Sequence, residues 1–457
     1  MRLHRYTNLT PSGVEWLGDM PGTWQAKRLK YSASLNDDTL PETTNPTFEF
    51  DYVDIGNVNA VEGIVGTERV VFEDAPSRAR RLVRSGDTIV STVRTYLRAV
   101  APIGGAQQDF VVSTGFAVVR PRHVQGRFLS YALREHGFIE QIVARSVGVS
   151  YPAINASEVG TIPIPLPSPD EQRAIADFLD RQTARLDRLV GKKRELIEKL
   201  KEKRTALISR TVTRGLPPEA AGAAGLNPHP KLKPSGIEWL GDIPEHWESG
   251  NLRRYALMRT GHTPSRNVPE YWQDCTIPWF TLADVWQLRD DRVRYLGETK
   301  EQISELGLAN SAAELLPKGT VVFSRTASIG FSGIMPRPTA TTQDFWNWIC
   351  GPKLSPEYLL LLFRAMKQEF QRLTSGSTHK TIYQPDAASL RICVPPLHEQ
   401  RAIAEYLDRE TAKLDRLMQK VEAAIEKLQE YRTALITAAV TGKIDVRRAS
   451  HDDRHES

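Results

Sequence analysis

A chain of 457 residues, 40% hydrophobic and 25% charged, has the size for two or three domains and an ordinary globular composition. No stretch approaches the ~20 apolar residues of a membrane span, the opening MRLHRYTNLTPSG lacks an apolar signal segment, and three scattered cysteines (Cys275, Cys350, Cys393) exclude a cysteine-based zinc site and fit a reducing cytoplasm. The net charge of +5 leans towards a polyanionic partner without identifying one.

In chain order, the first recognisable motif is Pro11–Leu17 (PSGVEWL), followed by Gly18, Asp19, Pro21 and Trp24. It recurs as Pro234–Leu240 (PSGIEWL), followed by Gly241, Asp242, Pro244 and Trp247. After each copy comes a body, about Gln25–Leu166 and Glu248–Val394, and the two bodies differ greatly in sequence. They share a faint frame. Leu82, Val83 and Gly86 precede Thr88–Ser91, as Leu315, Leu316 and Gly319 precede Val321–Ser324, and these short β-branched runs predict strands. Residues Gln125–Ala144 and Pro356–Leu373 carry helical apolar spacing, so both bodies read as α/β mixed. Gly148–Ile154 (GVSYPAI) and Gly376–Ile382 (GSTHKTI) then align as corresponding loops.

Each body runs into a long helical segment. Glu171–Asp180 (EQRAIADFLD) returns 228 residues later as Glu399–Asp408 (EQRAIAEYLD), and the match continues through RTALI at 204–208 and 432–436. A self-repeat at a fixed shift is one structural unit built twice. Leu179, Leu186, Leu189, Leu196, Leu200 and Leu207 predict an apolar seam, repeated by Leu407, Leu414, Leu417, Val421, Leu428 and Leu435. Sustained over several heptads and flanked by charge, such seams predict coiled-coil helices. Between the halves, Gly215–Lys233 reads as a linker, and the polar tail from Lys443 onward is expected to be disordered. The expected division is a lead-in motif (1–24), first body (25–166), repeated helix (167–214), linker with second lead-in (215–247), second body (248–394), second repeated helix (395–442) and tail (443–457).

No catalytic constellation emerges. The Asn/Asp-Pro-Pro-aromatic tetrapeptide of base-flipping methyltransferases, the GxGxxG loop and the GxxxxGK[ST] loop are all missing, and the ten histidines show no metal-ligand spacing. Glu298-Thr299-Lys300 with Asp284 or Asp290 imitates a metal-nuclease site, but Thr299 with Gln302 reads better as a capping box ahead of a helix. Basic residues are more informative. Arg69, Arg78, Arg80, Arg81, Arg84, Arg94 and Arg98 crowd one stretch of the first body, where arginine can neutralise phosphate or fork onto guanine. Donors on Gly-flanked loops add Ser146, Ser150 and Tyr151 in the first body, and Ser324, Arg325, Ser328, His379, Lys380 and Tyr383 in the second. The tryptophans are expected in cores.

The doubled PSG-x-EWLGD motif, the two EQRAIA-x-x-LD helices and the two dissimilar bodies resemble the specificity subunit of a type I restriction–modification system, over almost the whole chain. The resemblance implies two α/β target recognition domains, each reading half of a bipartite DNA site. They would be separated by two long antiparallel coiled-coil helices with a pseudo-twofold internal repeat. It also implies a non-catalytic, cytoplasmic chain that docks two methyltransferase subunits and, through them, restriction subunits. No cofactor would be held here, with S-adenosylmethionine, ATP and Mg on the partners. A different class, a coiled-coil scaffold with bodies for non-DNA ligands, is the alternative.

Overall fold

The structure is a computed structural model that describes residues 4–59, 62–107, 109–374 and 381–448. It divides into two units, Met1–Lys193 with Glu422–Ser457, and Arg194–Val421. The unit boundaries fall inside the two long helices, Pro169–Arg214 and Leu397–Val440, rather than at the ends of the bodies.

In the first unit one antiparallel sheet orders Val100–Pro102, Thr88–Ser91, Phe116–Pro121 and Ala33–Leu35, and a second orders Glu68–Val71, Glu49–Val53, Val111–Ser113 and Ala79–Leu82. Their β-branched runs place Val90 and Val119 in one core, and Ile89, Val112 and Val118 in another. In the second unit Ser332–Ile334, Val321–Ser324, Phe345–Cys350 and Ala256–Thr260 follow the order of the first of these sheets. Glu301–Ile303, Ile277–Phe280 and Ala340–Thr341 follow the second, down to the one parallel pairing. The bodies thus share a topology that their sequences barely show. Both predicted strands form where expected. Each predicted body helix is two helices, Gly126–Leu133 and His136–Arg145 in one unit, Pro356–Ala365 and Lys367–Thr374 in the other. The first break comes where Glu135 accepts the Phe138 amide and caps a new helix.

Repetition of the PSG and EQ residues has a physical reason. Each PSG sits in a hairpin, Leu9–Pro11 with Asp19–Pro21 and Leu232–Pro234 with Asp242–Pro244, whose turn needs left-handed Gly13 and Gly236. Trp24 and Trp247, just beyond, are buried in cores as expected. Gln172 donates to Pro167 O and accepts the Gln125 amide, tying the start of its long helix to the first body helix. Gln400, fully buried, donates to Lys353 O (2.7 Å) and Pro395 O (2.8 Å) and accepts the Ser355 amide (2.8 Å). Gln400→Ala strands three backbone groups, of which the Pro395 carbonyl is buried, and should lower stability by about 2 kcal/mol, read as a shifted urea midpoint. An unshifted midpoint would remove this account of the motif.

The helix seam differs from the expected one. Leu189 and Leu196 are both 41% exposed and Leu417 43%, while Thr183, Val190, Ile197, Arg204 and, one repeat on, Thr411 and Met418 are buried. The true register therefore includes polar members. Thr183 and Thr411 satisfy their hydroxyls on the carbonyls of Leu179 and Leu407, both at 2.7 Å. In the first unit Arg432 meets Asp187 at 3.1 Å, and in the second Arg204 meets Asp415 at 3.1 Å, so the same pair forms twice. Within each unit the early part of one long helix packs with the late part of the other, hence antiparallel.

Each long helix stops at a left-handed glycine, Gly215 or Gly442. Beyond Gly442 the tail departs from expectation, because Ile444 and Val446 are buried with Met20 and Trp24. Residues 449–457 lie outside the described residues. The linker is also structured in part, as the helix Pro218–Ala223 with Ala221 buried.

Candidate nucleic-acid interface

In the first body, strand Thr88–Ser91 leads into a tight loop in which Arg94 and Arg98 both take φ 53° around the turn Thr95–Leu97. Left-handed backbone costs a non-glycine residue about 1 kcal/mol and concentrates at functional loops. A second loop, Ser146–Ile154, is bound to the first. The Arg94 amide donates to Pro152 O (2.8 Å), the Ile154 amide to Thr92 O (2.9 Å), and Thr95 Oγ1 to Ser146 Oγ (2.8 Å). Arg94 lies over the Tyr151 ring at 5.0 Å. Ser150 and Tyr151 are exposed, whereas Ser146 is occupied with Ile142 O and Thr95.

In the second body the described residues repeat the first of these loops. Strand Val321–Ser324 leads into a loop with Ala327 at φ 55°, and the Ile382 amide donates to Arg325 O at 2.9 Å. Ser324 is fully buried and donates to Thr326 O, so it forms the turn rather than presenting a donor. Arg325 stacks on Trp346 at 4.8 Å, Ser328 is half-buried beside it, and Tyr383 is exposed ahead of the helix Gln384–Ser389. His379 and Lys380 lie outside the described residues.

The arginines of the first body separate by position. Arg78 sits at the end of its strand beside the loop pair: its carbonyl accepts from Thr114, and the adjacent Gly115 carbonyl accepts from Thr92. Arg78 pairs with Asp54 (3.0 Å) and bonds the Tyr52 hydroxyl (3.1 Å). Arg98 pairs with Glu140, and Arg69 with Glu49 and Asp51. These pairs are well exposed and worth at most about 1 kcal/mol, so a phosphate can displace the carboxylates. Arg80 lies over Phe72 at 4.7 Å, and Arg81 donates to Thr39 Oγ1. Arg94 makes no ion pair among the described residues.

Arg84 belongs elsewhere. At the opposite end of the same strand it pairs with Asp38 (2.8 Å), which also binds the mostly buried Arg120 (2.7 Å). Arg120 grips Asp87 with two further bonds of 3.0 and 2.8 Å. The Arg120 hydrogen bond, above all, holds the Asp38 carboxyl below the usual range. This network, unsuspected from sequence, keeps the fold together.

The nuclease imitation dissolves on inspection, and so does the capping box expected at Thr299. Asp284 is fully buried and accepts from Thr281 N, Thr281 Oγ1 and Lys300 N. Glu298 pairs with Arg337. Glu301–Ile303 is a strand paired to Ile277–Phe280, so no helix starts at Thr299; the capping box is Thr281–Asp284, and Ser304 caps the next helix. Among the described residues no group of three or more His, Cys, Asp or Glu is placed to hold a metal, and no helix is long and apolar enough to cross a membrane.

Residues 33–199 and 244–427 match the family described as Type I restriction modification DNA specificity domain, over more than half of the chain. The chain belongs to this family. A putative type I restriction enzyme MjaX specificity subunit of Methanocaldococcus jannaschii is 23% identical across 94% of this chain and 96% of that protein. The MjaIX specificity subunit of the same organism is 29% identical over 37% of this chain and 38% of its own length. The HindI specificity subunit of Haemophilus influenzae is 22% identical over 67% of this chain and 76% of that one. A chain solved in a study of complex assembly and conformational transition of the type I R-M system covers 92% of this chain and 98% of its own, at 24% identity and a TM-score of 0.65. That likeness establishes the shared fold.

Proposed function

We propose that this chain is the sequence-reading subunit of a type I restriction–modification complex. Each body reads one half of a bipartite, asymmetric site in double-stranded DNA. The repeated hairpins and long helices gather two methyltransferase subunits and, through them, the restriction subunits. The chain makes and breaks no bond of its own; S-adenosylmethionine, ATP and Mg belong to its partners, and the complex works in the cytoplasm. The observation that carries this reading is one sheet topology built twice with different side chains on the loops described, Arg94, Ser150 and Tyr151 in one body against Arg325, Ser328 and Tyr383 in the other. Common frame with divergent tips is what two readers of different sequence require.

The test is reconstitution. The pure chain with S-adenosylmethionine and DNA should transfer no methyl group, and adding the cognate methyltransferase should restore transfer in a complex of two modification subunits to one of this chain. Stoichiometric methylation by the pure chain would overturn the proposal. A second test sorts the arginines. Arg78→Ala with Arg94→Ala should weaken duplex binding roughly 10-fold and reduce the salt slope by about 2. Arg84→Ala should change neither, because its partner Asp38 belongs to the Arg120 network. Fluorescence anisotropy at two or more salt concentrations reads both, and an equal effect of Arg84→Ala would show that position on the strand is irrelevant.

A further inference from the structure

Beside its exposed donors, the loop pair of the first body carries apolar side chains at its tip. Val149 is 101% exposed and Val147 80%, with Tyr96, Leu97 and Tyr151 also out in solvent. Single exposed apolar residues are ordinary, but five on two loops bonded to each other form a patch that has a purpose. The backbone holds this patch outward. Arg94 and Arg98, both left-handed, bracket the turn that carries Tyr96 and Leu97. Gly148 takes φ 117° just before Val149, and a Cβ there would stand 3.1 Å from Tyr151 O, so the projection of Val149 depends on glycine. The bonds between Val147 and Ala153 (2.9 and 3.0 Å) close the second loop, and those from Arg94 and Ile154 rivet it to the first. The result is a stiff tip.

Around the tip stand guanidiniums. Arg94 lies over Tyr151, Arg98 is anchored through Glu140, and Arg78 flanks the adjacent turn. An apolar point with a cationic collar matches one feature of a nucleic-acid duplex: a base step, whose apolar stacking interface is flanked by phosphates. Proteins that kink DNA insert apolar wedges between bases and hold the backbone with arginine or lysine. A protein partner would offer no reason for the arginine collar, and a flat groove contact no reason for a bare valine at the tip.

We infer that Val149, supported by Tyr96 and Leu97, is a wedge that enters a base step within the half-site read by the first body. This rests on the DNA-reading role proposed above and adds a mode to it. Part of the specificity then comes from how easily that step unstacks, which favours flexible pyrimidine–purine steps. The wedge is assigned to the first body alone. Its counterpart in the second carries Ala327 and Ser328 on the first loop.

The test uses the full chain with its methyltransferase subunits and duplexes of the recognised site. 2-Aminopurine replaces in turn each adenine of the first half-site, on either strand, other than the adenine that is methylated. With the natural chain, fluorescence should rise several-fold at one step only. Val149→Ser should abolish most of that rise and weaken binding about 10-fold, and Val149→Leu should preserve both. Val149 is fully exposed, so these variants should melt as the natural chain does. Tight binding of the natural chain with no rise at any position would overturn the wedge and leave the DNA-reading role standing. An undiminished rise with Val149→Ser would overturn the assignment to this residue. Failure of the natural complex to prefer its duplex over random DNA would overturn both readings together. Loss of methyltransferase assembly by Val149→Ser, with duplex binding intact, would assign the patch to a protein partner instead.

Discussion

Exchanging Glu248–Val394 for the corresponding body of a relative should replace one half of the recognised motif and leave the other half unchanged. The expectation rests on how the body is attached. Its first strand, Glu248–Asn251, pairs antiparallel with its last, Arg391–Val394, with Glu248 opposite Val394. The first body is closed in the same way by Gln25–Arg28 and Pro163–Leu166, with Gln25 opposite Leu166. Each body therefore begins and ends on two neighbouring strands, and a swap cut at those ends preserves the ribbon. The core beneath the ribbon is held by other residues: Trp247, Ile403 and Leu407 pack with Ile208 and Val212 of the preceding helix. Each wrong base pair costs about 1–3 kcal/mol, so a changed half-site of several bases abolishes modification of the old motif. Mapping methylated positions in DNA modified by the natural and exchanged complexes reads the outcome. A simultaneous change in both halves would mean that the bodies read jointly.

Removing one partner of a buried seam pair should have the largest effect on stability. Asp415→Ala leaves Arg204, whose side chain is 10% exposed, with the Asp291 carbonyl at 2.8 Å as its one remaining acceptor among the described residues. Nearby, burial already pushes the Arg364 guanidinium down to about 10, and Arg204 adds to that depression. Deleting a carboxylate from this crowd of cations should cost about 3 kcal/mol, as for other broken buried pairs. The exchanged pair, Arg204→Asp with Asp415→Arg, should recover part of the loss, and the double-mutant cycle should show coupling above about 1 kcal/mol. Seven of the nine tryptophans, from Trp239 to Trp348, lie in this unit, so fluorescence in urea reports its unfolding. Asp187→Ala, the repeat-related change, should cost at most about 1 kcal/mol in the first unit, because the Asp187 side chain that faces Arg432 is 53% exposed. Additive single effects would reduce the pair to a surface contact.

The repeat was the most legible feature of the sequence, because identical residues at a constant shift need no structural interpretation. What the repeated residues do was less legible. Gln172 and Gln400 bond backbone groups of segments distant in sequence, and no local pattern announces such partners. The seam was misplaced because the eye follows leucine: Leu189 and Leu196 are exposed, and the positions that complete the register hold Thr183 and Arg204. A threonine satisfied by its own helix and an arginine satisfied by a facing aspartate are both compatible with burial, yet read as polar. The common topology of the bodies was almost invisible, since strands conserve burial rather than identity. The arginine cluster looked uniform in sequence. Only the fold shows that Arg78 and Arg94 lie towards one end of the body while Arg84 shares Asp38 with Arg120 at the other. A valine between glycine and serine, such as Val149, carries no signal until its exposure is known.

The central claim, two half-site readers on one non-catalytic chain, is tested most directly by mapping base methylation. The chain would be co-produced with its cognate methyltransferase subunits in a host lacking other methylation, with the methyltransferase alone as control. The account predicts one asymmetric motif of two short specified blocks separated by an unspecified gap of constant length, methylated only when this chain is present. Methylation of the same motif without the chain, or a single continuous motif with it, would contradict the account.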